Sequence, residues 1–328
     1  LLEIRNLRTQ FATANGVLRA VDGVSFALHQ RAAIGVVGES GSGKSVTALS
    51  ILRLFGPLDK VTISGEIFFD GIDLLKLSEA ELRHIRGRQI AVVFQDPLTS
   101  LNPVMPVGEQ IAETLRFHRG LKKPAAKARS EELMALVGIG EPARRYGDLP
   151  EQFSGGMRQR IMIAIAIACE PKLLIADEPT TALDVTVQSQ VLMLLNRLRR
   201  EMGMALIMIS HDLGVIAATC DFAQVMYGGR VVERGHIQEI LSQPNHPYTA
   251  ALLRLVPRVH GQVERRLTPI PGQPVPNFGT ARGCCFSARC EFAGERCHTD
   301  DPPVHDFGNH HVSACWLAEE RFTAVAKE

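Results

Sequence analysis

Gly38-Glu39-Ser40-Gly41-Ser42-Gly43-Lys44-Ser45 is the stretch that decides the fold. It fits the pattern G-x-x-x-x-G-K-[ST], a phosphate-binding loop when it follows a strand and opens a helix. The context is right on both sides. Ala33–Val37 is a short apolar run that ends at the loop, and Val46–Leu54 continues with mostly apolar residues. The glycines let backbone N–H groups converge on phosphate oxygens, and the helix that follows adds its positive N-terminal end. Ser40 and Ser42 are counted with the loop's nucleotide-binding residues, Lys44 brings a point charge to the outer phosphates, and Ser45 brings a hydroxyl to Mg²⁺. The bland alternative, a Gly/Ser-rich turn, does not explain Lys-Ser in register behind a strand.

Outward from this loop the chain alternates. Ala91–Phe94, Leu173–Ala176 and Ala205–Ile209 are further short apolar runs, each followed by polar residues, as buried parallel strands are. Between the last two, Thr186–Met202 places Val187, Val191, Leu194, Leu195, Leu198 and Met202 on one helical stripe. Strand, helix, strand in this order is a βαβ unit, so a parallel α/β sheet is expected. The run Leu173–Ala176 delivers Asp177 and Glu178 to a strand's carboxyl end, where ligands of α/β sheets bind. Asp177 is placed to hold Mg²⁺ through its water shell, and Glu178 to polarise the attacking water. From about residue 101 to 169 the pattern is mostly helical, clearest at Glu109–Phe117 and Ala125–Leu136, and reads as an insertion into the α/β core.

Composition narrows the class. The 328 residues carry 36 Lys+Arg against 35 Asp+Glu and are 45% hydrophobic, so the chain is neither disordered nor the basic protein that a dedicated DNA binder would be. The longest strongly apolar run is Ile161–Cys169, far short of the roughly 20 residues of a membrane helix. Seven cysteines occur, five of them between Cys284 and Cys315. A proline-rich stretch, with Pro257, Pro269, Pro271, Pro274 and Pro276, precedes that cluster and reads as a semi-rigid linker. The expected organisation is therefore an α/β domain over 1–255 and a linker with a Cys-rich extension over 256–328.

Phe153-Ser154-Gly155-Gly156-Met157-Arg158-Gln159-Arg160 resembles the signature sequence of the ATP-binding cassette (ABC) ATPases, usually Leu-Ser-Gly-Gly-Gln. Phosphate loop, Gln95, signature, Asp177-Glu178, Ala182-Leu183-Asp184 and His211 follow one another in the family's order. The resemblance implies an ABC-type nucleotide-binding domain: a P-loop core with a helical insertion and a small antiparallel β part, followed here by the Cys-rich extension. It implies that Phe11 stacks on adenine and that Gln95 contacts Mg²⁺ and water. Ser154, Gly155 and Gly156 would meet the phosphates of a partner's nucleotide, Asp184 would cross the dimer interface, and His211 would bridge Glu178 and the terminal phosphate. Two departures stand out. Phe153 replaces the usual Leu, and Met157 replaces Gln and loses its amide.

Gln95-Asp96-Pro97-Leu98-Thr99-Ser100-Leu101-Asn102-Pro103, His246-Pro247-Tyr248-Thr249 and Pro269–Pro274 look more narrowly like the dipeptide/oligopeptide/nickel group of bacterial importers. That resemblance implies an ATPase subunit at the cytoplasmic face of the inner membrane. Its partners would be a second ATPase subunit, identical or paralogous, two transmembrane permeases and, indirectly, an extracytoplasmic solute-binding protein; no nucleic acid is expected. A non-transport ABC ATPase is the alternative, disfavoured because the chain has one cassette and no heptad array between loop and signature.

Cys284, Cys290, Cys297 and Cys315 are spaced too widely for a zinc knuckle, and a disulfide is disfavoured in a cytosolic chain. The residues alone leave a [4Fe–4S] cluster, zinc or unliganded thiols open; the importer group carries a similar four-cysteine tail associated with a cluster, which favours the first. Cys285 stands where that tail usually has another residue and could substitute for Cys284, although its replacement is expected to be silent. The role expected for the tail is structural, with the linker keeping it away from the nucleotide site.

Overall fold

The computed structural model describes residues 1–56, 59–181, 183–255, 270–274, 276–279 and 282–318. Ala182 of the Ala-Leu-Asp segment and most of the proline-rich linker lie outside the described residues. The described strands are β1 (Leu2–Thr13), β2 (Gly16–Leu28), β3 (Ala33–Val37), β4 (Val61–Phe69), β5 (Ile72–Asp73), β6 (Ile90–Val93), β7 (Leu173–Asp177), β8 (Ala205–Ser210), β9 (Phe222–Tyr227), β10 (Arg230–His236), β11 (Val304–Asp306) and β12 (Val312–Ala314). The chain divides into two compact units.

The first unit gathers residues 1–28, 33–75 and the described residues from 210 onward. Part of it is the antiparallel sheet in the order β2-β1-β4-β5. In β1, Leu2, Ile4, Leu7 and Thr9 are buried between more exposed neighbours, with a register shift between Arg5 and Arg8. Asn15-Gly16 sits at the β1–β2 turn, a dipeptide that suits a tight hairpin, and Gly16 takes a φ of 115°. β3 pairs in parallel with β9, β9 antiparallel with β10, β10 with β12 and β12 with β11. The last two of these strands belong to the Cys-rich extension. That extension therefore continues the strand ladder built from β3, β9 and β10.

The second unit gathers residues 29–32 and 76–209. Its strands run β8-β7-β6, all parallel, with Leu173 opposite Ala205 and Ile90 opposite Leu173. Every residue of β7 and β8 is buried, which is why both read as unbroken apolar runs. β6 starts and ends one residue earlier than Ala91–Phe94, because Phe94 has left the strand and is exposed. Helices Val107–Arg119, Lys123–Leu136 and Gly155–Ile167 pack on one another and form the expected insertion. The stripe after Asp184 forms helix Val185–Met202, burying Val191, Leu194, Leu195 and Leu198 and ending at Gly203 with a φ of 65°. No described helix is long and apolar enough to cross a membrane.

Candidate functional site

The phosphate loop leaves β3 and turns into helix Lys44–Leu52. Gly43 has a φ of 100°, and a Cβ there would lie 2.3 Å from the backbone oxygen of Ala20, so only glycine fits. Lys44 is buried, and its ammonium donates to the carbonyls of Gly38 at 2.8 Å and Glu39 at 2.9 Å. The charge is thereby held inside the loop's curve. Ser45 opens the helix at the loop's mouth, while Ser40 and Gly41 are exposed there. Ser42 is buried. Phe11 stands on β1, half-buried, with its ring edge-to-face against Phe55 at 5.7 Å. The two rings make a small apolar shelf. Phe55 carries no motif and was not singled out in the sequence.

In the second unit, β7 ends on buried Asp177 and the chain turns sharply at Glu178, whose φ is 45°. A left-handed non-glycine residue at a strand end is uncommon and tends to mark a functional turn. The Glu178 N–H donates to Ile209 O at 3.0 Å, which fixes the turn against β8. Glu178 Oε2 accepts from Gln95 Nε2 at 3.2 Å and from Thr181 Oγ1 at 3.0 Å. Gln95 and Glu178 are thus brought together, and Thr181 is an addition. Its signal was its place three residues beyond Glu178, in reach of a turn. His211 directly follows β8 and is exposed.

Ser154 caps helix Gly155–Ile167, its hydroxyl accepting from Met157 N at 3.4 Å. The helix start is exposed at Ser154 and Gly155, an anion-ready N-terminus. Gly156 has no room for a side chain: a Cβ would lie 2.4 Å from Val187 Cγ1. Phe153 is buried under the Arg145 guanidinium, so the larger apolar residue is absorbed into the core. Asp184 is exposed and caps helix Val185–Met202 through Val187 N at 2.9 Å.

Cys284, Cys290, Cys297 and Cys315 all line one small cavity, together with His246, Phe286 and Trp316. Cys285 lies off it, on a neighbouring cavity with Asp22 and Arg230. Among the described residues, however, no group of three or more His, Cys, Asp or Glu side chains is arranged to hold a metal ion. The structure brings the four expected ligands to one cavity without assembling them into a metal centre. Burial pushes the Cys290 thiol up, and that of Cys315 up to about 11. His246 is buried, and its Nδ1 accepts from Tyr248 N at 3.1 Å.

The tail is not kept apart from the phosphate loop. Arg289, in the turn Ser287–Arg289, donates through Nη2 to Glu39 Oε1 at 3.1 Å and through Nη1 to Glu39 Oε2. Tyr248 Oη accepts from Glu39 N at 2.8 Å. The linker's proline content implied distance; the strand pairing of β12 with β10 overrides it.

A phosphate loop, an acidic strand end and a Ser-Gly-Gly helix cap define an ABC-type ATPase. Residues 21–181 match the family model "ABC transporter" and residues 232–297 match "Oligopeptide/dipeptide transporter, C-terminal region". The chain is 48% identical, over 98% of itself and 98% of the relative, to the oligopeptide transport ATP-binding protein OppD of Haemophilus influenzae. It is 45% identical, over 98% and 96%, to the dipeptide transport ATP-binding protein DppD of Bacillus subtilis. Among solved structures, the ATP-binding cassette MJ0796 in a dimeric post-hydrolysis state bound to ADP and Pi superposes with a TM-score of 0.64 at 28% identity, covering 72% of this chain and 99% of that one. The chain belongs to the ATP-binding subunits of oligopeptide/dipeptide ABC transporters and is the ATPase subunit of such an importer.

Proposed function

We propose that two such ATPase chains, identical or paralogous, sandwich ATP between the phosphate loop of one and the Ser154–Gly156 helix cap of the other. Residues 1–255 form the ATPase domain in this reading, and 256–328 its appendage. Gly38, Gly41 and Gly43 let the loop's N–H groups reach the phosphates, Lys44 neutralises the outer ones, and the Phe11 ring packs on adenine. Ser45, Asp177 and Gln95 hold Mg²⁺, directly or through water. Glu178 takes a proton from the attacking water, which makes it the general base. His211 carries the terminal phosphate's presence to Glu178, and Asp184 faces the partner chain. Closing and opening of the pair moves permease subunits through the 101–169 insertion, so the chain works at the cytoplasmic face of the membrane, below a solute-binding protein it does not touch.

The observation that carries the assignment of the base is the pair of donors, Gln95 and Thr181, converging on one oxygen of Glu178. The dimeric state of the similar cassette supports the sandwich. Ser154→Arg tests it: nucleotide should still bind the altered chain's own loop, while turnover at the partner's loop is lost. Specific activity should also rise with protein concentration; a constant value on dilution contradicts the shared site.

For the tail we infer a [4Fe–4S] cluster on Cys284, Cys290, Cys297 and Cys315, with zinc as the alternative. The shared cavity supports a resident group there. Four cysteines can hold a [4Fe–4S] cluster, whereas a single zinc needs all its sulfurs about 2.3 Å from one ion. Bound, the cluster would staple a segment too small to fold on its own apolar content.

A further inference from the structure

Glu39 is an anion built into a loop that binds an anion. Its side chain stands one residue beyond the first glycine of the phosphate loop. Left alone, it would repel the triphosphate that the loop exists to hold. The structure shows what opposes this. The Arg289 side chain is 3% exposed, and its five N–H bonds have five acceptors: both carboxylate oxygens of Glu39, the hydroxyl of Tyr227 at 3.3 Å, the carbonyl of Pro271 at 2.8 Å and that of Ile270 at 3.2 Å. A guanidinium used at every donor is fixed in place and not interchangeable with an ammonium. Glu39 is held at three points: carboxylate by Arg289, N–H by Tyr248, carbonyl by Lys44. Behind them Tyr227, Tyr248 and Phe286 pack edge to face, with Tyr248 fully buried.

We propose that Arg289 is a positioning residue for nucleotide binding: it neutralises and fixes Glu39, so that a nucleoside triphosphate meets a preorganised loop with no opposing charge. The Cys-rich extension thereby contributes to ATP affinity through one ion pair. This rests on the loop binding nucleotide and not on what the tail's cysteines hold.

The test is a titration of the full chain with a fluorescent ATP analogue in Mg²⁺. Arg289→Met keeps the side chain's length and removes its charge. It should weaken binding about tenfold, close to 1.4 kcal/mol. Arg289→Lys keeps the charge without the fork and should fall between. The discriminating variant is Arg289→Met with Glu39→Gln: once the anion is gone, affinity should return to within about threefold of the parent. A merely structural role for Arg289 predicts no such return. Glu39→Asp, which leaves the tail unaltered but draws the carboxylate back from the guanidinium, should weaken binding several-fold even if Arg289→Met folds badly. Parent-like affinity in Arg289→Met or Glu39→Asp, or a double variant no tighter than Arg289→Met, overturns the proposal. Iron content of the same preparations reports separately on the tail cluster.

Discussion

The Gln95 amide donates to Glu178 Oε2 at 3.2 Å, joining the loop after β6 to the turn after β7. Gln95 stands at the edge of the helical insertion, six residues before Leu101 buries its side chain. One hydrogen bond thus links the edge of that insertion to the carboxylate proposed as the base.

The chemical consequence is checked with Glu178→Gln. The amide keeps the shape and both donors' partner oxygen but removes the base. Turnover should fall by about 10²–10⁴, the usual worth of a general base. Nucleotide binding should persist, and a closed dimer should accumulate in gel filtration with ATP. Near-normal hydrolysis in this variant removes Glu178 from the role.

Gly43→Ala tests the loop's geometry. The added methyl meets a backbone oxygen, not a flexible side chain, and the residue's φ is one that alanine resists. The cost should be about 1–3 kcal/mol, seen as a lower denaturant midpoint, with nucleotide binding lost. Gly41→Ala, where nothing lies within 4 Å, should lose less stability despite its φ of 78°. Equal losses in the two would mean that strain, and not the Ala20 contact, dominates.

Much of this was legible in the sequence, and the reasons are specific. The phosphate loop and Asp177-Glu178 are contiguous and could be read from the residues themselves, whereas the Ser-Gly-Gly cap was read only through its resemblance to the ABC signature. β7 and β8 are buried on both faces and read as plain apolar runs. β1 and β2 were not read from the sequence, since register shifts break their alternation. Arg289 was beyond reach, because its partner Glu39 is 250 residues away and an Arg beside a Cys carries no signal. The linker's prolines pointed the wrong way: they describe local stiffness and say nothing of where the chain returns.

That return depends on a second buried pair. His311 Nε2 donates to Glu233 Oε1 at 2.7 Å, and the same carboxylate accepts from the N–H groups of Asn245 at 2.6 Å and His246 at 3.0 Å. The Glu233 side chain is fully buried. His311→Ala leaves it one donor short, which should cost about 1–3 kcal/mol. Because β12 pairs with β10 beside it, the loss should appear as faster proteolysis of the 304–314 hairpin, with His311→Gln intermediate. Unchanged protease resistance in His311→Ala would show that the strand pairing alone docks the tail.

The tail's own chemistry is settled by metal analysis. Thiolates, not thiols, hold iron or zinc, and burial holds the Cys290 and Cys315 thiols in the neutral form, so both must lose protons on loading. Protein purified without oxygen should be brown and carry about four irons per chain. Serine at Cys284, Cys290, Cys297 or Cys315 should bleach it. The single tryptophan, Trp316, lines the same cavity, and its emission should rise when the quenching iron is absent. Cys285→Ser should change neither colour nor emission, since Cys285, unlike the other four, does not line the cavity shared with Trp316. A colourless preparation with one equivalent of zinc decides for the alternative metal, and bleaching by Cys285→Ser would place the first ligand one residue further along the chain.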